Sequence, residues 1–216
     1  MNRGRSVFVA TTLVAALSGC FHVALQAPPR DAPVEARVAA YQQLRQTGQL
    51  HTITTNQYGA QVDHEVDLVT ASGMTVKHAD DLIPVLDEHS AAARTARASG
   101  SARQKKWLWI VGGTVVSTVG FGMMWSGMNA NFDDPDGMAG QDRANLGIGL
   151  GIGGAVAGAI GWYYYRHVEV SQRAATFANY DDGLRARLDL CVQGLQLVDC
   201  AAVTPASARA PASTPP

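Results

Sequence analysis

The chain has 216 residues, 47% of them hydrophobic and only 16% charged, with a formal net charge of −1. Ordinary apolar content with charge below the usual share of roughly 25% excludes a highly disordered protein, and near-neutrality excludes a basic nucleic-acid binder. The 22 glycines are clustered without a period of three, which excludes collagen and points to close helix packing.

Arg3 and Arg5 precede Val7 to Leu17, eleven uncharged residues. That is the size of a signal-peptide core and short for a bilayer span. The run ends in Leu17-Ser18-Gly19-Cys20. These four residues resemble the lipobox of bacterial lipoproteins. The resemblance implies a signal peptide over 1–19 and a palmitate-type lipid on Cys20, which becomes the first residue of the mature chain. It places the mature chain in the cell envelope, mostly periplasmic. Phe21 stands where an Asp would resemble an inner-membrane retention signal, which favours the outer membrane.

Residues 20–33 form the lipidated terminus and a linker, where Pro28, Pro29 and Pro33 exclude regular structure. A small periplasmic module and stalk are expected over 34–106. Val34, Val38, Tyr41 and Leu44 fall at helical spacing, so a helix runs from Val34 to Gln46, capped by Asp31. Period two then predicts strands over 50–58, 61–69 and 74–77, a three-stranded antiparallel meander. Asp63, Glu65 and Asp67 alternate with Val62, His64, Val66 and Leu68. The carboxylates read as a solvated strand face rather than a cation site, and His64 as a semi-core residue rather than a ligand. Ser90 is placed to cap an Ala-rich helical stalk over 91–106 that carries Arg94, Arg97, Arg103, Lys105 and Lys106.

Two uncharged segments come next, 107–128 and 146–165, each about 30 Å long as a helix and matched to a bilayer core. Trp107, Trp109 and Trp125 stand near the ends of the first, and Trp162 to Tyr165 closes the second. That spacing predicts an aromatic belt around a transmembrane hairpin over 107–165. The loop between them, 129–145, carries Asp133, Asp134, Asp136 and Asp142. It lacks the register of a calcium loop, with Asp134 rather than Gly at the sixth position. In the second span Gly147, Gly151, Gly154, Gly158 and Gly161 offer a small-residue packing face, and Gly149 and Gly153 an overlapping pair. Thr114, Thr118 and Gly122 are the expected counterpart on the first span.

With Cys20, the five glycines make the chain similar to the glycine-zipper two-helix outer-membrane lipoproteins. The resemblance implies a structural role and self-association. The basic stalk and acidic loop give the positive-inside rule the opposite orientation from a lipidated Cys20, a conflict that an outer-membrane hairpin removes.

Phe177, Tyr180, Leu184 and Leu188 recur at helical spacing, so an amphipathic helix is expected over 168–190 in a periplasmic segment spanning 166–202. A turn at Gly194 would bring Cys191 and Cys200 into a disulfide. Residues 203–216 read as a Pro/Ala/Ser/Thr tail.

The expected fold is therefore an α+β membrane protein: helix, meander, Gly-rich hairpin and C-terminal amphipathic helix. No catalytic motif or metal-ligand spacing stands in the sequence, and no cofactor, metal or nucleic-acid partner is expected. The expectation is a non-enzymatic envelope lipoprotein that associates with itself and with an envelope protein. The alternative is an inner-membrane sensory, binding or secretion-complex accessory module.

Overall fold

The computed structural model describes residues 24–50, 53–55, 59, 61–63, 66–133 and 138–203. The signal peptide, Cys20, His64, Glu65, Asp134, Asp136 and the tail beyond Val203 lie outside the described residues. The protein is mostly helical, with a small antiparallel sheet and two long apolar helices.

Helix α1 spans Val34–Leu44. It stops two residues before the expected end, because Arg45 takes an extended conformation (φ −57°, ψ 150°) and its N–H closes onto the Tyr41 carbonyl at 2.8 Å. The helix starts at Pro33 with no side-chain cap, so the expected capping by Asp31 is not formed. Gln46 instead opens strand β1, Gln46–Leu50.

Strand β1 lies almost wholly before the expected first strand, 50–58, meeting it only at Leu50, while β2 (Ile53–Thr55) falls within it; β3 (Gln61–Asp63) and β4 (Asp67–Thr70) fall on the expected second strand. β1 pairs with β4, and β2 pairs with β3. Leu50 faces Asp67 and Ile53 faces Asp63, so the two ladders follow one hairpin path with a one-residue slip between them. Strand β5, Thr75–Val76, adds to β4 and completes a three-stranded sheet in the order β1-β4-β5. The meander is thus present, and its second arm leaves the strand at Val66. Gly73, at φ +80°, makes the tight return that leads into β5.

A short 3-10 helix, Ala79–Val85, leads into α2, which runs unbroken from Ala91 to Asp133. The Ala93 N–H donates to Ser90 Oγ at 3.0 Å, which realises the expected cap. Helix α3 runs from Met138 to Ala178. Stalk and first span are therefore one helix, as are the second span and residues 168–178, whereas the rest of the helix expected over 168–190 is separate from it. The expected 17-residue acidic loop is mostly helix, which extends to Asp133 on one side and begins at Met138 on the other. At about 1.5 Å per residue, each helix is some 60–65 Å long, twice the thickness of a bilayer core.

After a break at Asn179, α4 (Tyr180–Arg187) turns back onto the sheet, and strands β6 (Leu190–Gln193) and β7 (Gln196–Asp199) form a hairpin. Gly194 turns it at φ +64°. The short α5, Cys200–Val203, closes the described chain.

The apolar core sits at one end of the molecule, where the first turns of α2, the last turns of α3, α4 and the sheet meet. Leu68, Leu82, Val85, Phe177, Leu184 and Leu188 are at most 1% exposed there. The stripe of Phe177, Tyr180, Leu184 and Leu188 faces inward as its spacing requires.

Candidate functional site: the hairpin and its collar

The two long helices pack on their smallest residues. On α3, Ala144, Gly147, Gly151, Gly154, Gly158 and Gly161 are buried, at alternating spacings of three and four. Their partners on α2 are Gly113, Gly120 and Gly127, seven residues apart. A β-carbon added at Gly120 would stand 2.2 Å from the Gly151 nitrogen and 2.7 Å from the Gly147 carbonyl oxygen. One at Gly113 would stand 2.7 Å from the Gly158 Cα, and one at Gly127 2.6 Å from the Ala144 nitrogen. No side chain of any size fits at these positions, so the backbones themselves are in contact. The seven-residue recurrence is that of a left-handed helix pair with glycine in place of the usual apolar knobs.

The expected α2 stripe is corrected by this geometry. Thr114, Thr118 and Gly122 are exposed, and nothing lies within 4 Å of a β-carbon built at Gly122. The Thr hydroxyls donate to their own helix, Thr114 to the Ile110 carbonyl at 2.7 Å and Thr118 to the Thr114 carbonyl at 2.8 Å. All five expected α3 packing glycines face α2, while Gly149 and Gly153 are open.

The large apolar residues point away from this seam. Leu108 is 70% exposed, Ile160 65%, and Val115, Val119 and Ile152 55% each. Both helices are long and apolar enough to cross a membrane. In water this arrangement is inverted, since burial of large apolar side chains is the main favourable term.

A collar of aromatic and charged residues separates hairpin and head. Lys106 donates to Glu169 at 2.5 Å, and Glu169 is 7% exposed on the helix–helix seam. Above it, Arg103 binds Asp80 at 2.5 Å and Arg173 binds Asp67 at 2.5 Å. Asp67 is thus a half-buried partner of Arg173 rather than part of a solvated carboxylate face. Lys105 and Arg166 rest on rings instead, Lys105 Nζ at 5.9 Å from the Tyr165 centroid and Arg166 Cζ at 5.3 Å from that of Trp162. His167 Nε2 and Tyr163 Oη are 3.1 Å apart. With the exposed Trp107 and Trp109, the rings form a belt at the expected level, and Trp125 stands at the far end.

The head is tied to the chain end by Arg37, which is 3% exposed. Its guanidinium donates to the Ala32 carbonyl at 3.0 Å, the Leu188 carbonyl at 2.7 Å and the Asp199 carboxylate at 2.5 Å. The Ala201 N–H, and then Arg37, hold the Asp199 carboxyl below its ordinary range. The Tyr180 hydroxyl donates to the Leu44 carbonyl at 2.7 Å, and burial followed by the neighbouring Asp181 pushes it well above the usual phenol range. Burial, with Asp181 next, raises Tyr41 in the same way. Cys191 and Cys200 are joined, with Cα atoms 4.8 Å apart across the β6–β7 hairpin. Among the described residues no group of three His, Cys, Asp or Glu is placed to hold a metal ion.

Gly113, Gly120 and Gly127 are the packing residues that spacing at four conceals and spacing at seven reveals. The Lys106–Glu169 and Arg37–Asp199 pairs carry no local signal, being 63 and 162 residues apart in sequence. No protein-family model, curated protein or solved structure matches the chain.

Proposed function

We propose that the protein is a non-enzymatic cell-envelope lipoprotein with a structural or assembly role. Cys20 carries the lipid, the hairpin spans the outer membrane, and the head with its disulfide stands in the periplasm. The observation that carries this reading is the inverted hairpin, with glycine inside and Leu, Ile, Val and Trp outside over a bilayer's length. Self-association uses the outward face of Thr114 and Thr118, since the zipper glycines are consumed within one chain.

Separation of inner and outer membranes on a density gradient, with radiolabelled palmitate fed to cells, tests the reading. Label on the wild-type chain in the outer-membrane fraction, lost in Cys20→Ala, is the expected result. An unlabelled chain in the soluble fraction overturns it.

The second reading, an inner-membrane sensory or secretion-complex module, draws support from the continuity of α2 and α3 from head to far tip. It requires that tip in the cytoplasm. A reporter fused at Gly137 distinguishes the two.

A further inference from the structure

A groove of about 420 Å³ runs along one side of the hairpin. Leu108, Trp109, Gly112 and Val116 line it from α2, and Leu150, Gly153 and Ala157 from α3. It begins one residue beyond Trp107 and covers nine residues of α2, about 13 Å, so it lies within the leaflet next to the head. Its floor is open because Gly112, Gly149 and Gly153 have nothing within 4 Å of a β-carbon position.

The end nearest the head is marked by a charge. Lys105 precedes Leu108, Trp109, Gly112 and Val116 by three, four, seven and eleven residues, so all five share one helix face. On the same helix the neighbouring cations Arg103 and Lys106 are matched to carboxylates, Asp80 and Glu169, while Arg166 of α3 rests on the Trp162 ring. Lys105 lies 5.9 Å from the Tyr165 ring centre, and among the described residues no carboxylate is bonded to it. An ammonium at headgroup depth above an apolar slot one leaflet deep complements one kind of molecule, an anionic phosphate joined to an acyl chain.

We propose that this groove is a binding site for an anionic phospholipid of the head-side leaflet, with the acyl chain along Gly112 and Gly153 and the phosphate at Lys105. This rests on the reading of the hairpin as membrane-spanning.

The test uses the full chain with Trp109 as its only tryptophan, through Trp107→Phe, Trp125→Phe and Trp162→Phe, reconstituted in phosphatidylcholine vesicles. Acyl-chain-brominated phosphatidylglycerol or phosphatidylcholine is then added at a low mole fraction. One cation near a membrane surface predicts about a five-fold preference for phosphatidylglycerol in quenching Trp109. Lys105→Gln should bring that ratio to about one without changing quenching by phosphatidylcholine. Gly153→Leu should fill the groove and lower quenching by both lipids. A ratio of one in the parent chain, or a preference that survives Lys105→Gln, overturns the proposal. So does a Trp109 shielded from both lipids in vesicle-bound protein, which means that a second copy fills the groove. Failure to float with the vesicles at all is a different result and overturns the spanning reading instead.

Discussion

The head and the hairpin sort side chains by opposite rules. In the head, Leu68, Leu82, Phe177 and Leu184 are at most 1% exposed, while Arg30, Arg97 and Arg185 pair with carboxylates at the surface. In the hairpin, glycine fills the seam and Leu108, Trp125 and Ile160 face outward. The same two helices, α2 and α3, obey both rules along their length, and the change falls within two turns, near Lys106 and Glu169. Helix identity therefore does not decide which face is inside; under the membrane-spanning reading proposed above, the surrounding medium does. Water drives large apolar groups together, while lipid offers no such force and leaves close backbone contact to hold the pair.

The sharpest way to break the comparison is Gly120→Leu. Its β-carbon meets backbone rather than a movable side chain, so the hairpin should lose about 3 kcal/mol or more. Thermal unfolding in detergent reads this, and Gly149→Leu, with nothing within 4 Å, should change little. Leu184→Ala should remove about 3 kcal/mol from the head by leaving a cavity, yet the chain should still float with vesicles. A chain that no longer inserts would show that the two regions fold as one.

Cys191→Ser paired with Cys200→Ser should cost about 2.5 kcal/mol, the loop-closure value for a separation of nine. A reducing agent should reproduce that loss in the wild-type chain and change nothing in the double variant. Arg37→Met should cost about 2 kcal/mol through the Leu188 carbonyl left without its charged donor, detected as a lower denaturation midpoint.

The smallest effect is at Asp199. Its folded value is depressed, so its contribution is complete above the ordinary carboxylate range and disappears as pH falls through the lower folded value. Asp199→Asn should flatten the acid limb of stability against pH, and an unchanged limb would remove Asp199 from the account.

Much of the hairpin is legible in the sequence because glycine at alternating threes and fours leaves few other uses for that face. The α2 side misleads because Thr114, Thr118 and Gly122 repeat at four, whereas the seam repeats at seven through Gly113, Gly120 and Gly127. The charges of 129–145 suggest a loop, yet helix extends to Asp133 and resumes at Met138, since polar residues are free to remain helical where no core constrains them. Alternation in 61–69 suggests one strand and cannot show the interruption between Asp63 and Asp67. The disulfide is legible because Gly194 marks the turn that makes it possible. Pairings such as Arg37 with Asp199 depend on how distant segments meet, and local pattern carries no trace of them.

The absence of a joint between head and hairpin has a mechanical consequence. α2 enters the core at Ala92 and reaches the far tip at Asp133 without a break, and α3 returns from Met138 to Phe177 in the same way. The Lys106–Glu169 clasp and the interlocked glycine backbones oppose sliding of one rod past the other. A pull or tilt applied to the head would therefore reach the opposite end as a lever stroke, in phase and little absorbed, about 60 Å away.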